Sequence, residues 1–373
     1  MSLAPRHVLM TSDAIGGVWN YALELARGLA SQGVAITLAT MGPVPNAAQR
    51  AECRRIPGLE LYSRPYRLEW MEEPWAEVEK AGHWLLELEE RGRPDLVHLN
   101  GYAHAALPFR APVLVVAHSC VLSWWKSVHG VPAPDSWQRY RREVARGLMS
   151  ADMLVAPTSA MLSAIEEHYG IFGPAKVIAN GSDPKRFRPG FKKDFVLSVG
   201  RIWDEGKNIA ALDRIADQVD WPLYVAGDAR HPEGGLRPLR HLRALGSVQS
   251  EALPRWYARA AIYALPARYE PFGLSVLEAA LSGCALVLGD IPSLRELWEG
   301  AALFVHPDDP EALTAALRSL IGDRALRQGL ADAARRRGAQ WTNEGCARAY
   351  SRLYQRMLER APRREPGESL CVS

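Results

Sequence analysis

Short apolar runs alternate with helical patterns along nearly the whole chain. His7 to Met10 is apolar, a Gly-containing loop follows, and Val18, Ala22, Leu25 and Leu29 recur at helical spacing before Gly33 and a second run, VAITLAT. Strand, helix, strand in that order predicts a βαβ unit and hence a parallel sheet. The runs LVHLN (96–100), VLVVAH (113–118), MLVAPT (153–158) and KVIANG (176–181) suit further strands of one doubly wound sheet. After the Pro- and charge-rich stretch from Asp183 to Asp194 the pattern starts afresh. FVLSVGR (195–201), a helix from about Asn208, LYVAGD (223–228), AIYALPA (261–267), ALVLGD (285–290) and ALFVHP (302–307) predict a second set of strands and helices. No repeat with a period of about 20 to 50 residues is visible, although the two halves share one architecture. Asn343 to Arg360 reads as a long amphipathic helix, and APRREPGESLCVS as a frayed tail.

Composition agrees with a two-part α/β protein. The chain has 373 residues, and at about 150 residues per domain that suggests roughly two domains. With 48% apolar and 23% charged residues it has the makings of packed cores. A net charge of +3, with no Lys/Arg block tied to a nucleic-acid motif, argues against a nucleic-acid partner. Cys53, Cys120, Cys284, Cys346 and Cys371 are scattered without zinc or redox spacing and read as reduced thiols of a cytoplasmic protein. RHVLM is too short for a signal h-region, and no apolar run reaches the ~18 residues of a membrane span.

One helix breaks its own pattern. Between Leu274 and Cys284 apolar residues occupy nearly every angle, as in a buried helix, yet Ser275, Glu278 and Ser282 project into one narrow sector. An isolated ionised carboxylate on a buried helix is costly, so Glu278 must pair, protonate or meet polar ligand groups. The paired hydroxyls of a ribose would satisfy it; so would an arginine from a neighbouring element.

Ligands of open parallel sheets bind outside the carboxyl ends of the strands, and three loops there suit an anion. Gly16 and Gly17 open the first helix, where peptide N–H groups and the helix dipole attract negative charge. In GRIWDEGKN, Arg201 ends a strand and Lys207 precedes a helix that Asn208 is expected to cap, so two cations share one loop. In the third loop Glu270 precedes Pro271-Phe272-Gly273-Leu274, with Glu278 one turn inside the helix that follows. Each loop has a plain alternative as a turn, a solvated loop or a structural ion pair.

These residues also carry a resemblance. ARYEPFGLSVLEAALSGCALVLGD resembles the E-x7-E signature of retaining glycosyltransferases of family 4, which have the GT-B fold. GGVWNYALELARGLASQG, the AHS after a strand, NGSDPKRFRP, GRIWDEGKN and WYARAAIYALPARYEPFGL are similar to that family in the same order over nearly the whole chain. The resemblance implies two Rossmann-like domains facing a central cleft: an acceptor-side domain over 1–188, a donor domain over 189–342, a helix over 343–361 crossing back to the first domain, and a tail over 362–373. It implies that Glu270 faces the donor sugar, that Glu278 binds the nucleotide ribose, and that Arg201 and Lys207 neutralise the leaving diphosphate. By the same resemblance the amides of Phe272, Gly273 and Leu274 hold sugar hydroxyls and those near Ser275 lie on the phosphate side. His118 contacts the transferred sugar, and Gly16 and Gly17 approach the phosphates across the cleft.

The reaction so implied moves a sugar from a nucleoside-diphosphate sugar, UDP- or GDP-linked, to an acceptor hydroxyl with retention of configuration. No tightly bound cofactor or metal is implied, and the chain contains no Asp-x-Asp. Two positions depart from the family: bulky Val18-Trp19-Asn20 follow the glycines, and Ser182 stands where valine is usual. Trp124, Trp125 and Trp137 beside Arg139, Arg141, Arg142 and Arg146 suit a peripheral contact with an anionic bilayer. The preferred reading is that the tryptophans line the cleft or pack the lobe while the arginines form a solvated face. A nicotinamide-dependent oxidoreductase is a rival, but neither half has the full G-x-G-x-x-G fingerprint. A silent sugar-nucleotide binder is another.

Overall fold

The computed structural model describes residues 5–170, 173–231 and 234–360; the tail expected over 362–373 lies outside them. The first half alternates β1 (His7–Asp13), α1 (Gly17–Ala30), β2 (Ala35–Met41), α2 (Ala47–Arg54), β3 (Leu59–Ser63), α3 (Trp75–Gly92), β4 (Leu96–Leu99) and β5 (Val113–Val116). It continues through α4 (Val121–His129), α5 (Gln138–Ser150), β6 (Met153–Ala156), α6 (Ser159–Tyr169) and β7 (Ala175–Val177). The second half runs β8 (Lys193–Val199), α7 (Ile209–Ile215), β9 (Leu223–Ala226), β10 (Arg243–Gly246), α8 (Leu253–Arg259), β11 (Ala260–Leu265), α9 (Leu274–Leu281) and β12 (Ala285–Gly289). It ends with α10 (Pro292–Trp298), β13 (Leu303–Val305), α11 (Pro310–Gly322), α12 (Arg324–Gly338) and α13 (Asn343–Arg360).

Each half folds around its own parallel sheet. Among the described residues the strand orders are β3-β2-β1-β4-β5-β6-β7 and β10-β9-β8-β11-β12-β13. The central strands are buried on both faces by helices: Leu96–Leu99, Val113–Val116 and Ala285–Gly289 are buried at every position, with His98 the one polar side chain among the three. In both sheets the order reverses beside the first strand, between β1 and β4 and between β8 and β11. Such a switch point opens a crevice at the strands' carboxyl ends. Two strands were not anticipated: β3, with the alternating half-exposure of an edge strand, and β10, whose RALG carries little apolar signal.

The two lobes touch across the crevice. The Trp124 indole N–H donates to Asp204 at 3.0 Å, the Cys120 amide to the Tyr269 hydroxyl at 2.9 Å, and the Thr158 hydroxyl to the Pro271 carbonyl at 2.9 Å. Glu296 accepts from the amides of Ser159 and Ala160 at 2.8 and 2.9 Å, capping α6 from the other lobe. The chain passes between lobes twice, side by side, through a parallel bridge of Ser182 with Thr342. After the second passage α13 packs on α1, and Ala347, Tyr350, Leu353 and Tyr354 join the first lobe's core. The approach is close enough that a Cβ on Gly28 would lie 2.4 Å from that of Ala347.

Candidate functional site

The loop after β8 is shaped by Asp204. Its carboxylate accepts from the Gly206 amide at 2.9 Å and from Arg201 at 2.6 Å, while the guanidinium lies 4.9 Å from the Trp203 ring. Burial would raise the Asp204 pKa, but Arg201, Lys207 and the Trp124 N–H together pull it below the ordinary carboxylate value. Asn208 does not cap α7 with its side chain, contrary to expectation. It adopts φ +53° and donates instead to the carbonyls of Pro266 and Pro307 at 2.9 and 2.7 Å, because a short amide tolerates the left-handed region while its side chain reaches across. The amides of Arg268 and Tyr269 in turn donate to the Gly206 carbonyl at 2.9 and 3.1 Å. The two loops at the second sheet's switch point are thus joined.

That joining brings Lys207 to Glu270, 2.5 Å apart and both largely buried. Beyond Glu270 the chain turns at Gly273, whose φ of +86° suits glycine, and enters α9. Tyr263, from β11 below, donates its hydroxyl to Ser275 at 2.8 Å. Glu278 is buried and, among the described residues, forms no ion pair, so the arginine alternative is not what the structure adopts. Burial pushes its pKa up to about 7, offset in part by the Tyr257 hydroxyl and by Arg186, which is itself engaged with Glu24 at 3.5 Å. Ser282 is fully buried and its hydroxyl has no partner among the described residues.

The first lobe presents Gly16, Gly17 and His118 at its own switch point. Gly16, at φ +76°, and Gly17 begin α1, and no described atom lies within 4 Å of where a Cβ would sit on either, so another molecule could approach the backbone closely there. Trp19 turns inward to the lobe's core. His118 follows β5; its Nε2 lies 2.8 Å from Asn100 Oδ1 and its ring meets Tyr21 edge-on at 4.3 Å. Asp13, which sequence reading passed over, ends β1 beside the glycines. Burial lifts its pKa to about 6 against the Ile15 amide and the positive charge of Arg201 across the cleft. Its place at the end of the first strand was the available signal. The tryptophans are engaged within the protein: Trp124 with Asp204, Trp125 with His129 at 4.5 Å, and Trp137 with Tyr140 at 5.7 Å.

The structure thus brings Arg201, Lys207 and Glu270 together at the second sheet's switch point, with Gly273 turning the chain into α9, which carries Leu274, Ser275 and Glu278, and Phe272 packed in that lobe's core; Gly16, Gly17 and His118 lie at the switch point of the other lobe. Comparison with known proteins agrees in scope. Residues 15–186 match the family model described as Glycosyltransferase Family 4, and 193–323 the model described as Glycosyl transferases group 1. A glycogen synthase of Mycobacterium tuberculosis is 31% identical over 306 residues, covering 72% of this chain and 71% of its own. Among solved structures, a sucrose-phosphate synthase from Thermosynechococcus elongatus superposes with TM-score 0.78 at 19% identity, covering 95% of this chain and 100% of the other. Anabaena HepE, in complex with UDP and glucose, gives 0.73 at 16% identity, covering 93% and 99%.

Proposed function

The chain belongs to glycosyltransferase family 4 and has the GT-B fold, and on that premise we propose that it transfers a sugar from a nucleoside-diphosphate sugar to an acceptor hydroxyl with retention of configuration and without a metal ion. UDP and GDP are the preferred carriers; a fold neighbour solved with UDP and glucose makes UDP the first to try. The acceptor-side domain is assigned to 1–188, the donor domain to 189–342 and the returning helix to 343–361. Family membership leaves the oxidoreductase alternative without support.

The observation that carries this reading is the convergence of Arg201, Lys207 and the start of α9 at the second sheet's switch point. Charge builds on the diphosphate as the glycosidic bond breaks, so cations and peptide dipoles already in place stabilise the transition state more than the ground state. In the free protein both cations are held by carboxylates, Arg201 by Asp204 and Lys207 by Glu270. Arriving phosphates find them oriented, and little reorganisation is required. Glu270, salt-bridged to Lys207, is assigned to positioning and electrostatics, not to covalent catalysis; a trapped glycosyl-Glu270 adduct in mass spectrometry would overturn that role. Glu278 is assigned to the ribose hydroxyls, which would add to the Tyr257 hydroxyl, since no ion pair to Glu278 exists among the described residues.

The engagement of Trp124 with Asp204 supports a cleft-side role for the aromatic cluster over a bilayer contact, and co-sedimentation with anionic liposomes at low salt would reverse that preference. The described cysteines are buried free thiols, in keeping with a cytoplasmic location. Titration calorimetry with UDP, GDP and ADP, followed by turnover of their sugars, tests the whole reading. Binding of none of the three refutes it.

A further inference from the structure

The first lobe contains a polar chain, buried at His98 and Tyr354 and partly exposed at Asn100 and His118, that the proposed reaction does not yet use. Asn100, at the end of β4, donates through Nδ2 to the Thr11 carbonyl at 2.7 Å, and a carbonyl only accepts, so the amide orientation is settled by chemistry. Asn100 Oδ1 then faces two imidazoles, His118 Nε2 at 2.8 Å and His98 Nε2 at 3.2 Å. An amide oxygen cannot donate, so both Nε2 atoms carry the hydrogen. With its Nε2 protonated, neutral His98 must accept at Nδ1, and there the Tyr354 hydroxyl of α13 donates at 2.6 Å. The rings are enclosed by aromatic neighbours, Tyr21 of α1 and Tyr350 of α13. Burial holds both histidines neutral, with pKa values lowered to about 3, and His98 lowers that of His118 further. The remaining nitrogen of His118, Nδ1, has no partner among the described residues, yet it is not among the buried unpaired atoms.

We propose that Asn100 is a positioning residue that locks His118 in the Nε2–H tautomer, making Nδ1 a hydrogen-bond acceptor for a hydroxyl of the transferred sugar. Tyr354, carried on the helix that crosses back from the donor lobe, holds His98 in the tautomer that completes the lock. The assignment of the hydroxyl rests on the glycosyltransfer reading above; the tautomer lock does not. An accepting imidazole binds a sugar O–H and leaves the developing positive charge at the anomeric carbon unopposed by an imidazolium. A ring protonated at Nδ1 could not accept the hydroxyl's hydrogen, and an imidazolium would in addition repel the developing charge.

The test is nitrogen-15 NMR of the full-length protein labelled at histidine, with His118→Gln assigning the signals. The expected spectrum shows His118 protonated at Nε2 and unprotonated at Nδ1 from pH 6 to pH 8. Asn100→Asp, nearly isosteric, should stabilise the imidazolium, so that both His118 nitrogens become protonated and the ring titrates near neutrality. Its kcat/KM for UDP-glucose should fall about tenfold or more while UDP itself binds as before, a split that general damage to the fold would not produce. Tyr354→Phe removes only the hydroxyl and should shift the His98 nitrogens. A wild-type His118 protonated at Nδ1, or an Asn100→Asp protein with unchanged His118 signals, overturns the lock. If the tautomer is as stated but no UDP-, GDP- or ADP-sugar is turned over, the lock stands, and both the sugar-hydroxyl assignment and the proposed function fall.

Discussion

Glu278→Gln should make the empty protein more stable and the nucleotide complex weaker. The side chain titrates at about 7 instead of 4.5 because burial disfavours its charge and no protein cation pairs with it. At about 1.4 kcal/mol per pH unit, its ionised form carries a penalty of about 3 kcal/mol. The sign follows from linkage. Below 4.5 folded and unfolded chains both hold the proton and the penalty is absent. Between 4.5 and about 7 the native state keeps a proton that the unfolded chain has lost, so stability declines as pH rises; above about 7 the full penalty applies. Glutamine keeps the shape and removes the charge, and any cost of its buried amide does not vary with pH. The advantage of Glu278→Gln over wild type should therefore grow by about 2 to 3 kcal/mol between pH 5 and pH 8, read by scanning calorimetry or urea titration of the donor lobe's transition. Over the same range the variant should bind nucleoside diphosphate at least about tenfold more weakly than wild type at pH 8, since a carboxylate accepts hydroxyl hydrogen bonds more strongly than an amide. A gain in stability with a loss in affinity is the signature of a site strained for its ligand. If the stability advantage is the same at pH 5 and pH 8, Glu278 is satisfied within the protein and the ribose assignment loses its basis.

Arg201→Ala should lower turnover at least about 30-fold, roughly 2 kcal/mol and the low end of what removing one member of a charge pair costs, because Asp204 is buried while the guanidinium is 36% exposed; turnover at the wild-type level would refute its role at the diphosphate. Lys207→Met leaves Glu270 as a buried, unpaired charge and should destabilise the donor lobe by about 3 kcal/mol. Adding Glu270→Gln should restore stability without restoring turnover; joint recovery would make the pair purely structural. Turnover should persist in excess EDTA, and its loss on chelation, with rescue by a divalent ion, would end the metal-independent reading. Trp124→Phe removes a donor to the Asp204 carboxylate, an interaction worth about 1.5 to 3 kcal/mol. Small-angle scattering should then show a larger mean separation of the lobes, and unchanged scattering would mean that this bond does not hold them together.

Much of this protein was written in local pattern. The βαβ runs, the fresh start after the linker and the polar stripe of α9 all follow from side-chain periodicity, because which residues share a face is set by backbone geometry over a few positions. Lys207 and Glu270 could be proposed separately from their strand-to-helix loops. Their 2.5 Å contact could not, because it needs Asn208 turned left-handed and tied to the neighbouring loop. Edge strand β3 and short β10 escaped because their residues are half exposed and carry no continuous apolar run. The largest gap concerns partners distant in the chain. His98 and Tyr354 stand 256 positions apart, and Trp124 and Asp204 lie in different lobes. No spacing encodes such pairs. They exist because two separately wound sheets place their switch points face to face and the last helix returns to the first core, and only that closure decided whether a buried carboxylate would find an arginine.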